Sequence, residues 1–415
     1  MQKGLKKLGL TLVAVGLSIA LLLTVALPVC EAGPDEKVVK IGLHATLTGP
    51  LATVGVAGDE GMIDYIRYIN DQGGINGVPL KLDWVDTGGF VSKSIIAHKR
   101  FKEAGVVMEL EIVSTPVETL APRLQRDEIP MLYYGCFTYP MITEPIRWVF
   151  AQNPGWRTVI GTIMRWIKDT WTEKRPPKFG AIIYDHISAR DGIKAAEEHS
   201  SEMGLEFQGY EVIPVVGVVD TSVEWLRLAA RNPDWIIIGT SGGVTVTVLK
   251  DCARLEIQEK GIKVVSAAGS FYDTTLRVVG KDAEGVFIHF LHPTSALADR
   301  ALPGMKNIYD AAKRYRGLET EQVATNYIGG CLLIKVAAEG LRVAIEKVGY
   351  ESLTGRVVRD GLASIKDFDT GLIPPITMGE SHPWFNPFTR FYEVQQGSYV
   401  PVSHWMEPPF YLEFE

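Results

Sequence analysis

The stretch Val38–Asp86 constrains the fold more than any other. Val38-Val39-Lys40-Ile41-Gly42-Leu43 is a short β-prone run, closed by the polar loop Thr46-Leu47-Thr48-Gly49-Pro50. Met62, Ile63, Ile66 and Ile69 then recur at helical spacing, and Gly73-Gly74 provides a C-terminal stop. Gly77-Val78-Pro79 turns the chain back into a second strand, Leu80–Val85. Strand, helix and strand within about fifty residues make a βαβ unit, which predicts a parallel sheet.

The same rhythm continues. Helices are predicted around Ser92–Gly105, Val117–Arg126, Thr158–Thr172, Asp191–Met203, Ser222–Ala230 and Val244–Arg254. Strands are predicted at Val106–Val113, Pro130–Tyr134, Phe179–Tyr184, Gln208–Ile213, Asp234–Ile238, Lys263–Ser266 and Gly285–Phe290. Loops Ser114-Thr115-Pro116 and Gly135–Pro140 each follow a strand and precede a helix. A long apolar helix runs from about Gln322 to Val348, and Gln395-Gln396-Gly397-Ser398 joins Arg390–Val394 to Tyr399–Val402 as a hairpin. The chain is too long for one comfortable core, so two α/β domains are expected.

Ile41-Gly42-Leu43, Thr48-Gly49-Pro50 and Ile69-Asn70-Asp71-Gln72-Gly73-Gly74-Ile75-Asn76-Gly77 resemble the opening of the Leu/Ile/Val-binding proteins. These are the solute-binding subunits of bacterial ATP-driven (ABC) amino-acid importers, and the order of elements follows theirs to about Trp405. The resemblance implies the type I periplasmic binding protein fold, α/β with two doubly wound parallel-sheet lobes joined by a three-segment hinge. The first lobe would comprise residues 38–152 and 295–372, and the second residues 153–294 and 376–408. Crossings fall near Phe150–Gly155, Leu291–Thr294 and Leu372–Met378. The implied partners are a small-molecule ligand, an amino acid or hydrophobic carboxylate, and a membrane permease. A membrane sensor in place of the permease would leave the same sequence signature.

Residues 1–32 read as an export signal. Lys3, Lys6 and Lys7 precede a run, Leu8–Val29, without charge. Cleavage after Ala32 is expected; lipidation at Cys30, where Val29 is bulky for a lipoprotein box, and an uncleaved anchor are the alternatives. The expected location is periplasmic. The whole chain carries a formal charge of −7, and the leader contains three Lys against one Glu, so its removal makes the remainder more acidic. With no long basic run, nucleic acid is not an expected partner. Cys136, Cys252 and Cys331 are an odd, widely spaced set, read as small apolar side chains with at least one free thiol.

Loops at the carboxyl edge of a parallel sheet are where ligands bind. Hydroxyls and unpaired amides at a helix start suit a carboxylate. By loose alignment with the family, the α-carboxylate contacts map to Thr115 or Ser114, the backbone of Cys136, and Thr138. The alternative for Ser114 and Thr138 is simple loop capping. In the second lobe the matching loops are Thr240-Ser241-Gly242-Gly243 and Ala267-Ala268-Gly269-Ser270. Ser241 and Ser270 are the candidate contacts there, and Phe271 and Tyr272 can wall the site. Neither loop offers the acid that pairs an amino acid's ammonium in the family; the nearest is Asp273. This departure points to a hydrophobic carboxylate.

Gly239-Thr240-Ser241-Gly242-Gly243 also matches the G-x-S-x-G elbow of serine hydrolases, with Asp273, Asp282, His289 and His292 following in triad order. A secreted hydrolase using Ser241 is therefore the alternative from another class, against which the missing oxyanion loop counts. His289 and His292 lack further ligands nearby in sequence, so no metal is expected, and no cofactor motif occurs. His382, with Trp384 and Phe385, is read as packing.

Overall fold

A computed structural model of the chain describes residues 37–141, 147–379 and 384–408. The proposed leader, Cys30 and His382 lie outside the described residues. No helix among the described residues is long and apolar enough to cross a membrane.

Five parallel strands form the first sheet: β1 (Val39–Ala45), β2 (Leu80–Asp86), β3 (Met108–Glu111), β4 (Met131–Cys136) and β5 (Val149–Asn153), in the order β2-β1-β3-β4-β5. Between them run α1 (Ala52–Asp71), α2 (Val91–Glu103) and α3 (Ser114–Asp127). The second sheet contains β6 (Lys178–Tyr184), β7 (Glu206–Ile213), β8 (Trp235–Gly239), β9 (Lys263–Ser266) and β10 (Phe287–Phe290). It is extended by the antiparallel β11 (Arg390–Gln395) and β12 (Ser398–Pro401), giving β12-β11-β10-β9-β8-β6-β7. Its helices are α4 (Trp156–Thr170), α5 (Ile187–His199), α6 (Ser222–Ala229), α7 (Gly243–Arg254) and α8 (Asp273–Val279). The parallel part of each sheet thus has the same order, reversing direction between β1 and β3 and between β6 and β8.

After β10 the chain returns to the first sheet through α9 (Met305–Arg316), α10 (Thr325–Val348) and α11 (Gly355–Ala363). Each sheet has its own core. Ile41, Met108 and Leu132 pack with Ile328, Leu332 and Val336 of α10 in the first. Ile182, Ile236, Ile237 and Val264 pack with Ile163, Val248 and Phe391 in the second. Strands buried on both faces read as continuous apolar runs, as in Trp235-Ile236-Ile237-Ile238. Helix α1 meets α10 through glycines: a Cβ on Gly330 would sit 2.2 Å from the Gly58 carbonyl oxygen, and one on Gly61 2.3 Å from that of Tyr327.

Several boundaries differ from the sequence expectation. Ser114 opens α3 instead of lying in a loop, because Val113, in extended conformation, is the N-cap. Helix α5 starts at Ile187, earlier than Asp191, since the His186 side chain caps it. The long helix begins at Thr325, with a short 3-10 turn at Thr320–Gln322 before it. Helices α8, α9 and α11 were not anticipated. The third passage between sheets lies later than Leu372–Met378, because Ile373, Ile376, Met378 and Phe385 are buried in the first core. Cys136, Cys252 and Cys331 are all buried as thiols.

Candidate functional site

The carboxyl ends of the two sheets converge on one cavity of about 120 Å³. From the first sheet come Val113 and Ser114 at the start of α3, and Tyr133, Tyr134, Gly135 and Cys136 at the end of β4. The second contributes Trp156, Tyr184, His186, Ser188, Ser241, Gly269, Ser270 and Tyr272, with His292 at the passage that leaves β10. These positions follow from the strand order, since the loops at each reversal open toward the same space. No Asp, Glu, Lys or Arg is among the described lining residues.

The lining hydroxyls are organised in short chains. Ser241 Oγ donates to the Gly269 carbonyl at 3.0 Å, and Thr240 Oγ1 lies 2.8 Å from Thr245 Oγ1. His186 Nδ1 accepts from Ser188 Oγ at 2.8 Å and from the Ser188 amide at 3.3 Å, which leaves the ring proton on Nε2. That Nε2 lies 3.4 Å from Thr115 Oγ1, a bridge from α3 to the start of α5. Burial holds the His186 imidazole below its ordinary pKa, favouring the neutral ring that this cap requires. A second bridge joins β4 to the chain after β10: Tyr134 Oη lies 3.0 Å from His292 Nε2 and 3.2 Å from Asn326 Oδ1 on α10. His292 Nδ1 donates to the Pro293 carbonyl at 2.9 Å, so Nε2 is an acceptor; burial keeps this ring below its usual pKa too.

Behind the first sheet's wall lies a buried polar cluster. Glu109 and Glu111 of β3 are both fully buried on the same side of the strand. Glu109 is held by His44 Nε2 at 2.7 Å and His98 Nδ1 at 2.8 Å, and His98 Nε2 reaches Asp127 at 3.1 Å. Burial alone would raise the Glu109 carboxyl, but the two imidazoles outweigh it and hold the pKa below the ordinary value. Glu111 has no such partner. Its Oε1 accepts from the amides of Ile112 and Val113 at 2.8 and 2.9 Å, its Oε2 is unpartnered, and burial pushes its pKa up to about 7.

Of the residues expected at the site, Ser114, Cys136, Ser241, Ser270 and Tyr272 line the cavity. Thr115 does not line it but forms the bridge to His186. Thr138 is turned away: fully buried, it donates to Glu118 Oε1 at 2.6 Å across to α3. Asp273 lies outside the lining, its carboxylate accepting from Ser295 Oγ and, at 2.6 Å, from the Thr325 amide that starts α10. The triad reading of Ser241 has no geometry behind it. His292 is engaged by Tyr134 and Pro293, and His289 is bonded to Thr389, with burial driving its pKa down to about 3. No group of three His, Cys, Asp or Glu among the described residues is placed to hold a metal. Trp156, His186 and Tyr134 were missed, and His292 was weighed only for a triad or a metal; of the three, His186, two residues after β6 at the sheet's reversal, had a positional signal.

A family model described as periplasmic binding protein matches residues 38–398. A Leu/Ile/Val-binding protein homolog from Brucella suis is 23% identical over 336 residues, covering 75% of this chain and 80% of its own. A branched-chain amino acid ABC transporter structure from Thermus thermophilus, with bound valine, superposes with a TM-score of 0.82 at 17% identity, covering 91% of this chain and 99% of that one. A solute-binding protein from Rhodopseudomonas palustris BisB5, in complex with 3,4-dihydroxybenzoic acid, superposes at 0.75 and 17% identity with the same coverage. The family match spans both sheets and the cavity between them, and the chain belongs to the periplasmic binding proteins.

Proposed function

We propose that this chain is the extracytoplasmic solute-binding subunit of an ABC importer, carrying a hydrophobic, aromatic carboxylate to a membrane permease. The observation that carries the ligand class is a cavity whose described lining holds no charged side chain and presents four Tyr, one Trp and many small residues. An amino acid closed into it would bring an ammonium with no anion to meet it, a desolvation of several kcal/mol. A carboxylate is better served. Helix α3 has no side-chain cap at its N-cap residue Val113, so the Ser114 and Thr115 amides open its first turn where the helix dipole favours negative charge; Pro116 carries no N–H, and the Ser114 hydroxyl bonds to Tyr133. The apolar walls then take the ring. The Rhodopseudomonas protein with its dihydroxybenzoate illustrates that this fold can take such a class, as the Thermus protein takes valine. The ligand would first meet the open first sheet, and closure would add the second sheet's contacts and expel water.

A thermal-shift panel tests the reading by comparing leucine, isoleucine and valine with their deaminated acids and with aromatic acids. Ligand at a hundred times its dissociation constant stabilises by about 2.7 kcal/mol, a shift easily seen. The aromatic acids are expected to raise the melting temperature. A shift from leucine, isoleucine or valine with none from the acids would overturn the assignment.

A further inference from the structure

We propose that Asp273 is a closure latch: its carboxylate reaches from the second sheet's core to the first amide of α10 and holds the two sheets together around the cavity before any ligand arrives. This rests on the closure step of the reading above and is independent of the ligand class.

Asp273 opens α8, and Phe271 and Val279 on either side of it are buried in the second core. Thr325 opens α10, and Val323 and Tyr327 on either side of it are buried in the first. One carboxylate oxygen of Asp273 accepts from the Thr325 amide at 2.6 Å, and the other accepts from Ser295 Oγ. The Ser295 amide in turn donates to Thr325 Oγ1 at 3.1 Å. Ser295 rides with the second sheet, since Ala296 is part of that core and Asp299 accepts from Arg390 and Tyr392 of β11 at 2.9 and 2.7 Å. Thr325 is thus gripped, backbone and side chain, from two points on the other core.

Helix α10 lacks a cap of its own, because its N-cap is Ala324. Asp273 supplies a carboxylate where the helix dipole favours one. The helix is fixed on the first sheet by its close glycine contact with α1, so it does not follow when the second core turns. Relative rotation of the cores therefore shears the Asp273–Thr325 bond, which is lost once its ends separate by about 1 Å. The closed arrangement is the one seen here: a Cβ on Gly242, after β8, would lie 3.3 Å from Thr53 Oγ1 at the start of α1, and Thr115 meets His186. Tyr272, the residue before Asp273, lines the cavity, so the latch also sets one ligand-facing wall. A hydrogen bond to a charged group shifts a two-state ratio about tenfold or more, and a closed form already populated raises the apparent affinity in proportion.

The test measures distances by electron spin resonance between labels on Lys99→Cys of α2 and Lys250→Cys of α7, on ligand-free protein refolded from urea to strip copurified solute. Both positions are exposed, and Cys136, Cys252 and Cys331 are buried. The unmutated latch is expected to give a short and a long distance, the short one matching this structure. Asp273→Ala and Thr325→Pro should each lower the short-to-long ratio about tenfold with unchanged circular dichroism. Proline removes the amide proton at a position that accepts it, the first of a helix, after an Ala324 whose ψ of 150° is the extended backbone a following proline requires. The short distance alone with the latch intact, and the long one emerging in the variants, has the same meaning. A merely structural Asp273 would lower the urea midpoint and leave the ratio in place. A ratio unmoved or raised in a folded variant would overturn the role of Asp273 alone. A single distance common to the intact latch and both variants would overturn the closure step of the proposed function and this inference with it.

Discussion

Replacing Glu111 by Gln probes the most unusual feature of the first sheet, two buried carboxyls on one short strand. In the folded chain burial raises the Glu111 pKa from 4.5 to about 7. A folded state that keeps a proton the unfolded chain has released loses stability as pH rises through that interval, and the loss is complete above the folded pKa. At about 1.4 kcal/mol per pH unit, the penalty reaches roughly 3 kcal/mol by pH 8. Gln keeps the acceptor for the Ile112 and Val113 amides and removes the titration. Its amide nitrogen would occupy the position of the unpartnered Oε2, at a cost of about 1 kcal/mol or more. The variant should therefore be slightly less stable than wild type at pH 5 and more stable by about 2 kcal/mol at pH 8. Urea unfolding at both pH values, with unchanged m, measures this. His98, whose pKa is raised, also lets stability fall as pH rises, so the informative quantity is the difference between wild type and variant. Parallel curves at the two pH values would refute the reasoning.

Gly330→Ala should destabilise by about 2 kcal/mol in urea unfolding: helix backbone lies on both sides of the added methyl, and the overlap outweighs the roughly 1 kcal/mol gained in helix propensity. Gly329→Ala should instead reduce ligand affinity in calorimetry with a smaller stability loss, because its Cβ would meet Tyr134 at 2.6 Å and His292 at 2.9 Å, both cavity residues. Thr138→Val should cost about 1 kcal/mol or more of stability by stripping Glu118 of its donor, and leave affinity near wild type. Thr115→Val should leave stability within about 0.5 kcal/mol and weaken ligand binding several-fold by removing the bridge to His186, read by calorimetry.

Most of the architecture was legible because each strand is a short apolar run bracketed by Gly, Pro or polar loops, so that period and punctuation agree. Lys263–Ser266 is a strand with the expected ends, and Leu80 begins a strand as read. Helix α9, Met-Lys-Asn-Ile-Tyr-Asp-Ala-Ala-Lys-Arg-Tyr-Arg, was hidden because its buried face is only Met305, Ile308, Ala311 and Ala312 within a charged segment. The late third passage was hidden by Pro374-Pro375, which reads as linker although the residues around it are core. The cavity was legible where position along a strand decides it, as for Ser114, Cys136 and Ser241. It was illegible where function depends on what the opposite sheet presents. Nothing about Thr138 in sequence reveals Glu118 on α3, and nothing about Asp273 reveals that it meets the amide that starts α10.

The repeated strand order has a consequence for how such a protein can change. The proposed carboxylate contacts sit on the switch-point loops of one sheet, and the tail contacts on those of the other, each sheet with its own core. On the proposed reading, a substitution in the loops after β8 or β9 would alter which tail is accepted without disturbing the packing that orients Ser114. Specificity would then be modular: the anchor could be inherited while the selector drifts, and loops after β8 and β9 could be exchanged between relatives of different ligand preference with the first sheet untouched.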